Sequence, residues 1–382
     1  MKRSNARSVM PRWFSGVACI AVVLLASAVC RAATGKAYAV PLLSRATASA
    51  ANLQLRWQTP IGLSSSNRDH VVNLWHVGDM VYVLTSKSYI VAINAPNGTV
   101  RWTRQIHGMN AAISRPVVSG PHQIIVLSSS AAHYLNTRTG ATQTQAKLPF
   151  PPGTYPVLIP GSRLLIGSLN EGFNALSAVP PFFPEWTEDS PGDSYISTPV
   201  VASSTVIFGS RLGYLWGRIP TDGNHGWKRT LEGGIRAPLT ANDSLAFVPC
   251  LDNNLYAVDP QSGVSPWVRH LPGILAHRAG ISGKKLLIIT GGKGLFSLNS
   301  SNGKILWGPV PGVARIVARK GATIYASTVS GNLKMINIGS GRVTDSAVLN
   351  GAKFFAYNAT TPTIFVASKY GRVAAIKPRR QW

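Results

Sequence analysis

Acidic side chains are scarce in this chain. Only 13 of its 382 residues are Asp or Glu, against 38 Lys or Arg, a formal charge of +25. Charged residues of both signs make up just 13% of the sequence, so the excess arises largely from missing acids. So few carboxylates argue against a metal site built from an acidic cluster. They also leave few native ion pairs for protonation to break, which suits an acidic compartment. Cysteine is nearly absent as well. Cys19 and Cys30 fall in the N-terminal segment, which leaves Cys250 alone in the body of the chain and excludes an intramolecular disulfide there. Cys250 lies on a predicted strand between Pro249 and Leu251 and reads as a buried, inert thiol. Beyond the N-terminus no long stretch has helical periodicity, so a helical fold is excluded.

The one long apolar run, FSGVACIAVVLLASAV, follows Lys2, Arg3, Arg7 and Arg12 and precedes small-residue sites ending at Ala28 and Ala32. This is the pattern of a secretory signal peptide over residues 1–32, too short for a membrane anchor. Cys30 is a candidate lipidation site, although Val29 stands where a lipobox has Gly or Ala. Cleavage after Ala32 removes five bases (Lys2, Arg3, Arg7, Arg12, Arg31) and leaves 33 against 13 acids. Residues 33–52 then read as a linker and residues 53–382 as the folded domain.

What the sequence does have is a repeat. Eight β-branched or apolar runs begin at Val81, Ile124, Leu164, Val206, Ala246, Leu286, Ile324 and Ile364, at intervals of 38 to 43 residues. Each is followed by a second run, as VYVLTS by YIVAIN and AFVPCL by NLYAVD. Short strands at this period predict an all-β fold, an eight-bladed propeller of four-stranded antiparallel blades. A Gly turn such as Asp259-Pro260-Gln261-Ser262-Gly263 follows the paired runs in most repeats. Next come Trp102, Trp186, Trp227, Trp267 and Trp307, whose fixed phase suits rings docked between neighbouring blades. Repeats two and seven lack this Trp, which predicts two looser junctions. The last repeat has no outer strand of its own, whereas LQLRWQT, Leu53 to Thr59, precedes the first without a blade. Pairing the two closes the ring and hides its edges.

The string VYVLTSKSYIVAINAPNGTVRW, with its echoes IYASTVSGNLKMINIGSG and LAFVPCLDNNLYAVDPQSG, resembles the quinoprotein-type (PQQ-like) propeller repeat over nearly all of residues 53–377. Among secreted eight-bladed members the chain looks most like the BamB family of periplasmic lipoproteins, which assist insertion of β-barrels into outer membranes. The opening LRWQTPIG and the ending VASKYGRVAAIK carry that likeness. It implies a non-enzymatic scaffold whose partner is an outer-membrane β-barrel assembly subunit or another envelope protein, with partner contacts after the third and fourth Trp motifs. Here those segments read TEDSPGDSYIS and KRTLEGGIRAPL, without the family's Leu/Arg element and aspartate pair. Glu188, Asp189, Asp193, Tyr195, Ile196 and Arg236 are the corresponding candidate partner-binding residues.

The stretch PPFFPEWTEDSPGDSY around Trp186 holds four of the thirteen acids, Glu185, Glu188, Asp189 and Asp193, beside Phe182, Phe183 and Tyr195. Such a loop reads either as a recognition element or as a solvated connection. The eight histidines are dispersed with no metal-ligand spacing, and no G-x-S-x-G elbow is present, so neither a catalytic nor a metal site is expected. No cofactor is expected either. The enzyme branch of the superfamily, quinoprotein dehydrogenases or chains resembling tetrathionate hydrolases, is the alternative, and a basic funnel would suit an anionic substrate. The bases are scattered apart from Lys377, Arg379 and Arg380 and come with no nucleic-acid motif, so the partners expected of the charge are acidic proteins or an anionic lipid or polymer surface.

Overall fold

The computed structural model describes residues 40–63, 68–106, 112–159, 163–169, 172–190, 196–224, 226–358 and 361–379. They form eight four-stranded antiparallel sheets, seven of which take their strands in chain order. In blade 1 these are Val71–Val77, Met80–Thr85, Tyr89–Asn94 and Val100–Gln105. The second strand, MVYVLT, is buried at every position, and the third, YIVAIN, at all but its ends. Both faces of a blade are covered by its neighbours, so these strands are continuously apolar rather than alternating. The fourth strand, VRWTRQ, buries only Trp102 and marks the rim. First strands of adjacent blades touch one another, as Val71–Val77 does Ala352–Ala356, and therefore surround the axis.

The apolar core is divided into eight clusters, one in each wedge between adjacent blades. Six wedges are keyed by the same pair. The rim Trp of one blade lies over the Gly of the next blade's third turn, and its indole N–H donates to a carbonyl of that turn. Trp102 covers Gly140 and donates to Thr137 O at 3.0 Å. Trp186, Trp227, Trp267 and Trp307 do the same with Gly223, Gly263, Gly303 and Gly341. Each of these glycines has a positive φ, and a Cβ would come within about 2.4–2.6 Å of the ring, so the position requires Gly twice over. The sixth key is Trp57 over Gly98, bonded to Ala95 O at 2.9 Å. It was not among the five expected because it precedes the first repeat.

Trp57 lies on the strand Leu53–Pro60, which completes blade 8 beside Arg372–Pro378, Ile364–Ser368 and Ala352–Ala356. Leu53 pairs with Pro378 and Pro60 with Arg372, in the closure expected from both chain ends.

The two Trp-less junctions are not loose, contrary to expectation. Between blades 2 and 3, Tyr134 stacks with Phe182 at 6.1 Å and donates its hydroxyl to Ala178 O, among Leu148, Phe150 and Leu164. Between blades 7 and 8 no third turn exists for a Trp to cap, because the chain ends meet there. The stretch read as a linker fills that wedge from Val40 onward. Leu42 and Leu43 are fully buried with Val317, Leu349 and Phe355. Leu42 donates its N–H to Gln58 Oε1 at 2.7 Å and accepts from Asn350 N at 2.9 Å. Helix α1, Arg45–Ala50, follows, with Ser44 as its N-cap, and leads into the closing strand.

Candidate partner face and central channel

The hairpin connections sort into two faces. Turns between second and third strands, and links from one blade to the next, emerge on what is here called the upper face. That face exposes Leu169, Leu212, Ile274, Val329, Val348 and Tyr370, with Val329 85% accessible. Arg211 and Lys369 are beside Leu212 and Tyr370, and Lys87 and Lys293 are on other turns of the same face. On blade 7 an open groove of about 580 Å³ is lined by Val329, Asn332, Leu333, Lys334 and Val348. The opposite, lower face exposes Val179, Phe183 and Val264.

The predicted contact residues of blades 3 to 5 separate into different roles. Glu188 ends the outer strand of blade 3 and accepts from Arg218 Nε of blade 4 at 2.8 Å, while Arg218 also donates to Trp227 O at 2.9 Å. It therefore ties two blades together. Glu185 is likewise taken up, by Arg163. Ile196 is a correction: it is 1% accessible, packed over Gly167, with its backbone bridged to Ser210. A β-branched residue at a blade entrance fills the wedge and is not offered to a partner. Asp189 and Arg236 are exposed. Asp193, Tyr195, the signal peptide and Cys30 lie outside the described residues. Cys250 is buried, donates to Gly233 O, and burial pushes its thiol up to about 12.

The channel was not singled out from the sequence. Aligning the inner strands by their pairing to the second strands gives tiers around the axis. Leu74, Pro116, Pro156, Pro199, Leu239, Ala279 and Phe355 share one tier and are buried between blades, and on blade 7 the buried Val317 is in a bulge at this level, next to Ile316. The tier just above it consists of Asn73, Arg115, Tyr155, Thr198, Pro238, Arg278, Arg315 and Phe354, all of them accessible. Two tiers below the buried one, nearer the lower mouth, are His76, Val118, Leu158, Val201, Ala241, Ile281, Arg319 and Tyr357. Three arginines thus share the upper tier, and neither accessible tier contains a carboxylate.

Arg278 Nε donates to Thr240 Oγ1 at 3.1 Å, and Arg315 donates to Phe355 O at 3.1 Å. The Arg115 carbonyl accepts from Ser114 Oγ at 3.2 Å, whereas its guanidinium has no hydrogen bond or ion pair among the described residues. Enclosure by the ring, then the charge of Arg278, lowers the Arg115 pKa. Enclosure also lowers Arg278, partly offset by Tyr357. His277, beside Arg278, is lowered by enclosure and then by Arg315, and His76 by enclosure and then by Arg115. A sequence signal was present in the repeated SRPVV, TYPVL and STPVV, where the residue before Pro occupies this tier.

The calcium of the enzyme branch does not fit this channel, whose accessible tiers offer no carboxylate. Among the described residues no three His, Cys, Asp or Glu are grouped as metal ligands. In comparisons with known proteins, no curated protein matches the sequence. The fold is shared with BamB from Moraxella catarrhalis, with a TM-score of 0.68 at 14% identity over 86% of this chain and 99% of that one. It is also shared with the computationally designed Ika8 protein (TM-score 0.64, 10% identity, 81% and 96%) and the C-terminal WD40 domain of Sif2 (0.64, 12%, 85% and 98%). At these identities the likenesses show the fold alone. The family model described as outer membrane protein assembly factor BamB matches residues 46–210, 184–310 and 219–381. Because those matches run through all eight blades, the chain belongs to the BamB family of PQQ-like repeat propellers.

Proposed function

We propose that the protein is a periplasmic, non-enzymatic scaffold that assists assembly of β-barrel proteins into the outer membrane through protein–protein contacts. One observation carries this reading: the upper face of a rigid ring exposes six large apolar side chains, and turns of the same face bear Lys87, Arg211, Lys293 and Lys369. Isolated exposed apolar residues are ordinary, but several on the loops of one face suit a docking surface. A ring ordered before binding loses little entropy on docking. The signal-peptide pattern of residues 1–32 supports a periplasmic site. The basic excess favours approach to acidic partners or anionic envelope surfaces.

The test is cross-linking and affinity capture of the protein from its own solubilised envelope. Capture of a β-barrel assembly subunit should fall with Val329→Asp or Tyr370→Ser on the upper face and persist with Phe183→Ser on the lower. Capture that ignores all three changes, or no such subunit at all, would sink the reading.

A further inference from the structure

The upper tier of the channel is an arrangement that docking on loop tips does not use. Counting blades around the ring, Arg115 on blade 2 and Arg278 on blade 6 are four apart in eight, so they approach the axis from opposite sides. Arg315 on blade 7 joins them at the same level, with Tyr155 on blade 3 and Thr198 on blade 4 completing a polar arc. The anchoring bonds of Arg278 and Arg315 each use one of a guanidinium's five N–H donors. Neither of the two ion pairs among the described residues involves these arginines.

Like charges gathered inside a ring repel, and enclosure by protein strengthens that repulsion relative to bulk water. Such an arrangement is relieved by a counter-charge at the axis. The upper-tier side chains are accessible, so that counter-charge can come from solution. The planar guanidinium presents paired donors that match the oxygens of a tetrahedral oxyanion, which an ammonium does not. The tier nearer the lower mouth holds one arginine, Arg319, among mainly aliphatic side chains, Val118, Leu158, Val201, Ala241 and Ile281, so the three clustered arginines belong to the upper level.

We propose that the upper tier of the central channel is a binding site for a small, multiply charged oxyanion, held by Arg115 and Arg278 from opposite blades with Arg315 beside them. The site is independent of the docking face and does not rest on the assembly reading.

The test is calorimetric and thermal titration of the purified protein with inorganic sulfate and inorganic phosphate, against chloride at matched ionic strength. The expected result is saturable binding and a rise in Tm beyond that in chloride. Arg115→Gln and Arg278→Gln should each weaken binding about tenfold, the loss of one charge-assisted contact. Arg101→Gln on an outer strand should leave it unchanged. In chloride alone each channel variant should melt no lower than the parent, because one repelling charge has gone. The absence of saturable binding by the parent overturns the proposal whatever the variants do. Equal affinity in the parent and both channel variants overturns it as well.

Discussion

Six of the eight blade junctions use one solution, and the other two use solutions of their own. At the six, a rim Trp and a left-handed Gly on the next blade define each other. At the blade 2–3 junction, Tyr134 and Phe182 take their place. At the blade 7–8 junction, a segment from before the first repeat does. The comparison shows that the Trp is not needed for tightness. It belongs to a Gly turn, and where the following blade lacks that turn the wedge is filled by whatever chain is near. The closing junction is thus the one held by residues remote in sequence, and it joins the two ends of the chain.

The largest effect should come from breaking the closure. Deleting Leu53 to Thr59 removes a whole strand from blade 8 together with Trp57, and leaves Arg372–Pro378 as an open edge. Loss of the cooperative transition by circular dichroism, with association in sedimentation, is expected; parent-like melting would refute the closure. Next is the filler of that wedge. Leu42→Ala with Leu43→Ala empties two fully buried sites and should cost about 4–8 kcal/mol in denaturant unfolding.

The Trp–Gly key is sharpened by comparing two glycines. Gly303→Ala has φ +68 and a Cβ 2.5 Å from Trp267, and should cost about 3 kcal/mol, whereas Gly283→Ala, at φ +56 with open space, should cost about 1 kcal/mol. Equal losses would show that the ring contact contributes nothing. At the blade 2–3 junction, Tyr134→Phe removes one hydroxyl bond while keeping the stack, for about 1 kcal/mol.

The smallest effect is with pH, at the blade 8–1 junction, where His76 stacks on Phe365 at 4.8 Å. Its folded-state pKa is lowered, by enclosure first and by Arg115 second, so folding favours the neutral ring. The stability this contributes is complete above the unfolded value of about 6.5 and is lost as pH falls from there toward the lower folded value. Urea midpoints at pH 7.5 and 5.5 should differ less in His76→Gln than in the parent.

Much of this was legible in advance. The buried second and third strands appear as unbroken apolar runs because both faces of a blade are covered, and the docking Trp stands at fixed phase because each blade meets its neighbour alike. Trp57 was passed over because it precedes the first repeat, far in sequence from the rest of the blade that it completes. Helix α1 is too short to show a period, and Leu42 and Leu43 resemble any apolar pair in a linker. The acidic stretch around Trp186 reads as a recognition loop, yet Glu185 and Glu188 are held by Arg163 and Arg218, partners that only folding brings near.

Local pattern by itself determined the blade count, the strand order and the family, because each follows from residues that repeat within one blade or its immediate neighbour. The filling of the last wedge, the pairing of the acids and the meeting of Arg115 with Arg278 were decided by the tertiary structure. Each of these depends on ring closure, which brings together side chains from separate blades or from the two ends of the chain, and no spacing along the sequence encodes those distances.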